Sequence, residues 1–535
     1  MREVPVLIVG AGPAGSMASL LLERQGIETL VVERRAGPQR APAAHVVNAR
    51  TFEICRAAGV DMQAVAKAAM EPEDAGFVEW APRLGDAPLG RLPFERQGND
   101  QLAVTPTPLR NLSQNRFEPL IQDALASLGR TPRWRQQWES AEQDAAGVTS
   151  RVRDLASGEV HEVRSRYLLA ADGAGSRVRK GLGIAMDGPG DLQTFVMIHF
   201  RAALRERLGS PPAVLVFTTA PEATGVFVVH DLDDEATFMV AYDASRESAD
   251  DYDAERCAGL VRSALADPDL DFRVETVSTW AMTAQVAERY REGRVFLVGD
   301  AAHRFPPTGG LGLNSGVQDA HDLAWKLALV LSGEADPALL DRYESERRPV
   351  ARNNADQSLK NAMKLLEVPQ ALARPDASER VGPANANQAE HFDMPGLQLG
   401  VSYAPDAPAP EPRRFEPSGA PGRRLPHAWI GSDAARVSLL DRVPLDRFVL
   451  VAGPDGAAWR DAVDAIGSPR LDVVVLDASD MPDLPRWLDE AGIERSGALL
   501  VRPDQHVAWR ARRYDGSSER DGLRAAFEQA LPPPR

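Results

Sequence analysis

The sequence has 535 residues, which is too long for one ordinary hydrophobic core, so two or three domains are expected. Its 61 lysines and arginines against 77 aspartates and glutamates give a net charge of −16, which argues against nucleic acid or an anionic membrane surface as a partner. The two cysteines, Cys55 and Cys257, exclude a disulfide framework and a cysteine-rich zinc site, and we predict no bound metal.

The chain opens with the pattern of a strand, a glycine-rich turn, a helix and a second strand, "VLIVGAGPAGSMASLLLERQGIETLVVER". The first strand is predicted over residues 5–9, and Gly26 ends the helix. The second strand ends at Glu33, whose carboxylate is placed to accept hydrogen bonds from ribose hydroxyls. These features together predict a βαβ unit that binds a dinucleotide.

The turn of this unit carries glycines at Gly10, Gly12 and Gly15. The first permits a tight turn, the second lets the backbone approach a pyrophosphate, and the third allows close packing of helix and strand. The free N–H groups at the start of the helix then face the phosphates. Neighbouring residues predicted to contact the cofactor are Pro13, Ala14 and Arg34. This unit alone does not distinguish NAD from FAD.

Two later blocks repeat the order of apolar strand, acid and glycine. In residues 160–184, "YLLAAD" precedes "GAGSR"; a strand over 295–298 precedes "GDAAHRFPPTGGLGLNSGVQDA" and a helix from about residue 314 to 331. The three blocks predict one discontinuous α/β domain over 1–184 and 286–368.

Material of a different kind separates these blocks. Residues 185–285 contain β-like segments such as "TFVMIHF", "TGVFVVHDL" and "ATFMVAYD", which predict a mainly antiparallel inserted sheet, joined by part of 72–105. We expect this sheet to roof a substrate pocket. Candidate pocket residues are His199, His230, Met197, Phe227, Tyr242 and, from the later loop, Pro306. Alternation along a strand turns half of such residues outward.

The C-terminal third changes composition twice. Residues 369–424 are rich in Pro, Ala, Gln and Gly and predict a linker or wrapped loop. Residues 425–535 return to alternating strands and helices, which predict a small third α/β domain. It lacks a CxxC pair, so dithiol redox chemistry is excluded and a structural or subunit-contact role is preferred.

Several stretches, taken together and in order, resemble the FAD-dependent aromatic hydroxylases, the single-component class A flavoprotein monooxygenases. They are "GAGPAG" with Glu33, "ADGAGSRVR" at 171–179, "GDAAHRFPPTGGLGLNSGVQDAHDLAWKL" at 299–327 and "YESERRPVA" at 343–351. "PGRRLPHAWI" and "LLVRPDQHVAWR" are similar to the subgroup of phenol, chlorophenol, nitrocatechol and polyketide hydroxylases. The resemblance implies a Rossmann-like, glutathione-reductase-like FAD-binding domain, an inserted mainly antiparallel sheet and a C-terminal thioredoxin-like α/β domain.

The resemblance also implies which residues hold FAD. Asp300 matches an acid near the ribityl chain and pyrophosphate, and Asp172 with Gly173 matches a pair used for both FAD and NAD(P)H. Gln114 matches a contact to the flavin side chain, and Arg40 lies where the family places a basic residue near the cofactor. The stretch implied to lie along the flavin ring comprises Pro307, Gly309, Gly312, Leu313 and Asn314. A helix-capping acid at Asp300, a strand-end turn at Asp172 and a solvated Arg40 are the structural alternatives.

In this family NADPH or NADH reduces the flavin, O2 adds at its C4a atom, and the hydroperoxide delivers OH to an electron-rich ring. A base that deprotonates a phenol aids this transfer. "AAHVVNARTFE" at 43–53 resembles the segment that faces the substrate, with His45 where the family has an aspartate. Histidine can remove the proton near neutral pH, although a packed histidine is an equal alternative. Arg50 and Glu53 are expected to be structural.

We therefore predict an FAD-dependent, NAD(P)H-consuming monooxygenase of a small phenolic compound, with a homodimer as the family expectation. The absence of an apolar run of spanning length and of a signal-peptide pattern predicts a cytoplasmic protein without membrane contact. The sequence leaves open NADPH or NADH, a single ring or a fused polycycle, and loss of a nitro or chloro substituent. The alternatives are another reaction on the same fold, such as polyketide oxygenation or epoxidation, and a non-catalytic FAD-fold scaffold.

Overall fold

The computed structural model describes residues 2–374, 376–431 and 436–534; the domain ends predicted at residues 1 and 535 lie outside these ranges. Five parallel strands form the centre of the first sheet, because their near-continuous apolar sequences can be buried on both faces. Their spatial order is Val295–Leu297, Val160–Ala170, Arg2–Val9, Thr29–Glu33 and Arg133–Trp134. The antiparallel strands that extend this sheet are Arg291–Glu292, Gln136–Gln143 and Val148–Asp154.

Two helices on one face of this sheet contact each other closely. Helix Pro13–Arg24 packs on helix Leu311–Leu331, and Gly316 permits the approach because a Cβ there would lie 3.1 Å from the Ala14 Cβ. The later helix begins at Leu311, three residues before its predicted start, and the first strand begins at Arg2 rather than residue 5. The other helices of this domain are Ala49–Ala58, Met62–Ala68, Gln114–Ser127, Arg177–Gly181 and Arg342–Lys364.

The inserted sheet has seven strands and is antiparallel except for one pair. Its order is Arg273–Met282, Gln193–Arg201, Glu235–Tyr242, Gly225–Asp231, Ala213–Thr218, Phe77–Ala81 and Gly90–Pro93, and Ala213–Thr218 runs parallel to Phe77–Ala81. One face is covered by helix Ala254–Ala264 and forms its own apolar core. The other face packs with Val46 and Leu109 of the first domain in a separate cluster, so it faces that domain.

The segment 369–424 differs from the predicted linker. It contains helices Ala377–Ala386 and Pro395–Leu399, preceded by Glu367–Leu372. Val381, Ala384 and Phe392 are buried in the same cluster as Trp80 of the inserted sheet. The alanines that suggested a linker are helix formers, and tertiary packing gives these short helices their stability.

The C-terminal residues form a four-stranded sheet in the order Leu471–Val475, Phe448–Ala452, Ala498–Val501 and Val507–Ala511. The first pair is parallel and the others are antiparallel. Helices on this sheet are Trp459–Ile466, Leu484–Ala491 and Ser517–Ala530. The predicted fold class, an α/β FAD-binding domain with an inserted sheet and a thioredoxin-like third domain, is confirmed.

Short additional sheets of two or three strands complete the described part of the fold. They are Val46–Val47 with Arg110–Asn111, Met186–Asp187 with Gln285–Ala287 and His303–Arg304, and Trp429–Ile430 with Val437–Ser438. None of the helices in the described part of the chain is long and apolar enough to cross a membrane.

Candidate functional site

In the N-terminal turn, packing requires glycine at two positions, and the third glycine borders open space. Gly10 has φ +107°, and a Cβ there would lie 2.2 Å from the carbonyl oxygen of Ala171. A Cβ on Gly15 would lie 2.1 Å from the carbonyl oxygen of Gly10. A Cβ on Gly12 would meet no protein atom within 4 Å. Gly12 therefore borders open space at the start of helix Pro13–Arg24, where a pyrophosphate fits.

The helix that follows this turn has no side-chain cap on its first N–H groups, which leaves them available to an anion. Pro13 is its first residue, and Ala14 packs against Gly299 and Gly316. Glu33 is buried at the end of its strand. One oxygen of its carboxylate accepts a hydrogen bond from the Ala11 N–H at 2.9 Å.

The later glycine-rich loop places an acid at the same edge of the sheet. Asp300 is exposed, and no hydrogen bond to its carboxylate occurs among the described residues. Burial among the surrounding protein atoms nevertheless raises its pKa, while His303 and Arg304 lower it. An accessible carboxylate that is largely enclosed by protein lies in a cleft rather than on an open surface. The Asp300 carboxylate caps no helix among the described residues, so the alternative of a helix-capping acid does not describe this side chain.

The Pro-Pro-Thr-Gly-Gly turn borders the same cleft. Pro307 is exposed and Pro306 is buried, while Gly309 has φ +118° and Gly310 has φ +61°. A Cβ on Gly310 would lie 2.8 Å from the Cβ of Val46, so the turn contacts the strand that follows His45. Gly312 and Leu313, both half-buried, begin the next helix without a side-chain cap.

The Asn314 side chain is turned into the protein. The side chain is buried, and its Oδ1 accepts hydrogen bonds from the Asn48 N–H at 2.9 Å and the Thr51 hydroxyl at 2.7 Å. Its Nδ2 donates to the carbonyl oxygens of Val46 and Gly310. All the hydrogen-bonding capacity of this side chain is used within the protein. Asn314 therefore holds residues 46–51 against the loop of Gly310, and only its backbone remains for a ligand.

Asp172 and Gln114 are both held by neighbouring residues. The Asp172 carboxylate accepts hydrogen bonds from the Ser176 hydroxyl at 2.5 Å and from the Arg177 N–H at 2.7 Å, so it caps the short helix that follows. The carboxylate thus has a structural use at the end of its strand, and Gly173 beside it has φ +79°.

Gln114 begins its helix and donates from Nε2 to Glu118 at 2.8 Å. The Arg34 and Arg40 side chains are exposed.

His45 lies between the later loop and the inserted sheet. Its Nδ1 is 2.7 Å from Asn111 Oδ1, and its ring stacks on Phe94 with centroids 6.0 Å apart. The His230 ring meets it edge-on at 6.1 Å. Burial lowers the pKa of His45, and the hydrogen bond to Asn111 opposes this in part. The imidazole is therefore neutral at neutral pH and partly exposed to the cleft.

The sheet places three of the predicted pocket residues on the face toward His45. His199 Nε2 is 3.0 Å from Glu235 Oε1, and His230 Nε2 is 3.1 Å from Thr237 Oγ1. His230 is buried, and no described residue makes a hydrogen bond to its Nδ1. Met197 shares this face, since it alternates with Val196 and Ile198, which belong to the opposite core.

Phe227 and Tyr242 lie on the opposite face, which corrects their prediction as pocket residues. Phe227 stacks on Phe238 at 4.3 Å, and Tyr242 contacts Tyr252 at 5.1 Å. Both pack in the core beneath helix Ala254–Ala264. Side chains alternate between the two faces of a strand, but the sequence does not show which set faces His45; that depends on the register between strands.

Sequence reasoning missed residues that hold the predicted ones. Asn111 and Glu235 orient His45 and His199, and Arg304 lies close enough to Asp300 to lower its pKa. "RNLSQNRFEPLI" contains Asn111 next to the predicted Gln114 segment, but nothing in that stretch indicates a histidine partner 66 residues away. His303 is buried and bonds Asp319 at 2.7 Å. No group of three potential metal ligands occurs within the described ranges.

This arrangement fits FAD. Open space at Gly12, uncapped helix starts at both glycine loops and the accessible Asp300 carboxylate lie at the carboxyl ends of the parallel strands, where nucleotides bind in such sheets. The second loop contacts Val46, and the preceding residue, His45, meets His230 of the inserted sheet, so this loop and the sheet lie on either side of His45.

Comparison with known proteins gives the same result. The FAD binding domain family matches residues 3–358, and the aromatic-ring hydroxylase C-terminal family matches residues 418–534. The chain is 36% identical over 529 residues to tetracenomycin B2 monooxygenase-dioxygenase of Streptomyces olivaceus, with 95% of each sequence covered. It is 35% identical over 554 residues to 4-methyl-5-nitrocatechol 5-monooxygenase of a Burkholderia species, with 98% of each covered.

The fold is similar over its whole length to the crystal structure of the flavin-dependent monooxygenase PieE in complex with FAD and substrate. The TM-score is 0.90 at 35% identity, with 99% of each chain covered. The predicted cofactor, FAD, and the predicted enzyme class are confirmed. The chain belongs to the FAD-dependent aromatic-ring hydroxylases and is an FAD-dependent aromatic monooxygenase.

Proposed function

We propose that this monooxygenase hydroxylates a phenolic compound with O2 and a nicotinamide nucleotide, and that His45 takes up the phenolic proton. The overall reaction converts the phenol, O2, NAD(P)H and one proton into the hydroxylated phenol, water and NAD(P)+. Bound FAD supplies the electron-transfer and oxygen chemistry. The residues of the chain bind the ring, orient it, exclude water and hold the proton.

The position of His45 carries this proposal. Its neutral ring lies between the loop of Gly309 and Gly310, along which the flavin is proposed to lie, and the sheet face with His199 and His230. A phenolate is a better nucleophile toward an electrophilic oxygen than a phenol, so a base at this place assists the transfer. The aspartate expected from family resemblance is replaced by a residue that performs the same proton transfer near neutral pH.

Aromatic side chains pack around His45. Phe94 stacks on it, and the ring of Phe392 lies 6.2 Å from that of Phe94. Phe94, Phe392 and Trp80 are almost fully buried, so they form the core behind His45. The His45 ring is the partly exposed end of this cluster, and aromatic rings favour planar ring ligands through offset and edge contacts.

Fused polycyclic phenols are a second candidate for the substrate. The relative from Streptomyces olivaceus is named for tetracenomycin B2, whereas the relative from Burkholderia is named for a single-ring nitrocatechol. Hydroxylation with loss of a nitro or chloro substituent is the corresponding single-ring variant.

We further propose that Gly10, Gly12, Gly15 and the first turn of helix Pro13–Arg24 hold the pyrophosphate, and that Asp300 holds the ribityl end. Met197, His199 and His230 lie on the sheet face that we propose to be turned toward the substrate, and of the three only Met197 is more than slightly exposed. A homodimer is the expectation from family resemblance, and a cytoplasmic location is the expectation from the sequence pattern. The oligomeric state can be read from light scattering of the FAD-loaded protein.

The test is NAD(P)H consumption by the FAD-loaded protein against single-ring phenols, nitro- and chlorophenols, catechols and polycyclic phenols, with peroxide and product both quantified. Stimulated consumption with an equal amount of hydroxylated product is the expected result, and comparison of NADH with NADPH identifies the co-substrate. If no phenol stimulates consumption while the flavin is bound and reducible, the proposal is wrong and the enzyme oxidises another class of compound.

A further inference from the structure

We propose that Asn111 is a positioning residue, which holds His45 as the Nδ1–H tautomer so that Nε2 carries the lone pair that accepts the phenolic proton. This inference rests on the proposed function for the identity of the proton donor. The tautomer itself rests on hydrogen bonds within the chain.

The orientation of the Asn111 amide is fixed by an atom that can only accept. Asn111 is buried, and its Nδ2 donates to the carbonyl oxygen of Val229 at 3.3 Å and lies against the sulfur of Met70. A carbonyl oxygen has no proton to give, so the amide group that faces Val229 is the NH2. The amide oxygen must then point to His45 Nδ1, 2.7 Å away.

An amide oxygen accepts hydrogen bonds and cannot donate them, so His45 Nδ1 carries the proton. In a neutral imidazole the other nitrogen, Nε2, then has the free lone pair. Nε2 has no hydrogen-bond partner among the described residues, and the side chain is partly exposed. A neutral tautomer with Nε2 open to the cleft is the form that a general base requires.

The backbone around this pair is fixed from both sides. Val46 pairs with Asn111 in a short antiparallel bridge, and the Leu112 N–H donates to the His45 carbonyl at 2.8 Å. The carbonyl oxygen of Asn111 accepts from the Met70 N–H at 2.9 Å. These main-chain hydrogen bonds fix the backbone positions of His45 and Asn111. The hydrogen bond to Asn111 and the stacking on Phe94 then set the direction of the His45 ring.

Asn111 also suits the base because it is uncharged. A carboxylate at this place would stabilise the imidazolium and raise the pKa of His45, which would make the ring a poorer proton acceptor near neutral pH. The amide oxygen fixes the tautomer while burial still lowers the pKa of His45. After the proton transfer the phenolic O–H bond is broken, an Nε2–H bond is formed, and the Nδ1–H bond to Asn111 supports the imidazolium.

Charged and titratable groups on the elements around His45 are separated from it or paired with one another. His199 bonds Glu235, which also contacts Arg116 at 3.3 Å. Arg110 donates to the carbonyl oxygens of Gln97 and Leu109. Glu95, next to Phe94 in the chain, accepts a hydrogen bond from Gln398, and burial raises its pKa to about 8. Burial holds the pKa of His230 well below its usual value. His230 is therefore neutral when His45 acts.

The test uses FAD-loaded protein labelled with ¹⁵N-histidine, with the His45 signals identified by their loss in His45→Gln. Nitrogen chemical shifts report the tautomer directly and need no substrate. We expect the Nδ1–H form in the native protein, a loss of that preference in Asn111→Leu, and a His45 pKa above 6.5 in Asn111→Asp. Thr237→Val, which removes the partner of His230 only, is the matched control and should leave the His45 signals unchanged.

The second readout is the pH profile of product formation with the best phenol found in the substrate panel. The acid limb should move up by at least one pH unit in Asn111→Asp while flavin content stays unchanged. An Nε2–H form in the native protein, or an unchanged tautomer in Asn111→Leu, overturns the positioning role. A shifted His45 pKa with an unmoved acid limb overturns the base role but leaves the tautomer inference standing, and the absence of any stimulating phenol contradicts the proposed function alone.

Discussion

Glu53 of helix Ala49–Ala58 accepts two hydrogen bonds from Arg424, at 2.6 Å from Nη2 to Oε1 and at 2.8 Å from Nε to Oε2. Both side chains are buried, and Arg50 bonds the same carboxylate at 2.9 Å. Arg50 also donates to Gln505 Oε1 of the third domain. The helix that follows His45 is thus tied by charged hydrogen bonds to the segment 418–534 that matches the C-terminal family.

Arg424→Met should destabilise the protein because it leaves the Glu53 carboxylate buried with less compensation. Removing one partner of a buried ion pair typically costs about 3–5 kcal/mol of the free energy of unfolding. The urea dependence of unfolding of the FAD-loaded protein measures this loss. The loss in the double variant Glu53→Gln with Arg424→Met should be smaller than the sum of the losses in the two single variants, because the hydrogen bonds between these two side chains are then removed only once; additive losses would contradict the pairing.

The same pair predicts a dependence of stability on pH. Burial raises the pKa of Glu53, but attraction and hydrogen bonds from Arg424, with Arg50 and Thr105, lower it to about 2, below the ordinary 4.5. A folded-state pKa below the unfolded one stabilises the fold above pH 4.5, and this stabilisation is lost as the pH falls toward 2. The unfolding midpoint should therefore fall more steeply from pH 5 to 3 in the native protein than in Glu53→Gln. Parallel curves would show that Glu53 is not the group that titrates.

Gly12→Ala and Gly15→Ala should have different effects. A Cβ on Gly12 meets no protein atom within 4 Å, so the variant should fold normally but bind FAD roughly 10- to 100-fold more weakly, because the methyl group occupies pyrophosphate space. A Cβ on Gly15 lies 2.1 Å from the Gly10 carbonyl oxygen, so that variant should lose stability even without FAD. Thermal unfolding of the apoproteins and FAD titration separate the two effects. Native FAD affinity in Gly12→Ala would place the pyrophosphate elsewhere.

Asp300→Ala should weaken FAD retention through loss of a hydrogen-bonding carboxylate in the cleft. A hydrogen bond to a charged group is worth about 1.5–3 kcal/mol, which corresponds to roughly 10- to 100-fold in Kd. Flavin absorbance after gel filtration measures the loss. Asp300→Asn keeps an acceptor and should retain more FAD than the alanine variant; native flavin content in Asp300→Ala would contradict the proposed contact.

Local patterns were sufficient to predict the nucleotide-binding architecture, because each glycine loop follows its strand directly in sequence. Gly10 and Gly15 are required by contacts that their spacing already indicates. The partners of the predicted side chains could not be read in this way. Asn111 lies 66 residues from His45 and Arg424 lies 371 residues from Glu53, and such pairs depend on how the domains pack.

The inserted sheet illustrates the same limit. The alternation of Met197, His199, Phe227 and Tyr242 within their strands was visible, but the face that each occupies is decided by cross-strand register and by helix Ala254–Ala264. Composition alone also gave a wrong expectation for residues 377–399. The alanine-rich sequence forms helices there because Val381 and Phe392 pack into the core cluster that contains Trp80.

Phe227 and Met197 offer a direct test of which face of the sheet meets the substrate. Phe227→Ala should cost about 3–5 kcal/mol of the free energy of unfolding, because it empties space between Phe200 and Phe238, and the variant that remains folded should keep the native KM. Met197→Ala should change KM for the phenol or the fraction of NAD(P)H coupled to product, with a smaller loss of stability because Met197 is half-buried. Steady-state kinetics and denaturant unfolding of both variants provide the comparison. An altered KM in a folded Phe227 variant, together with native kinetics in Met197→Ala, would reverse the assignment of the two faces.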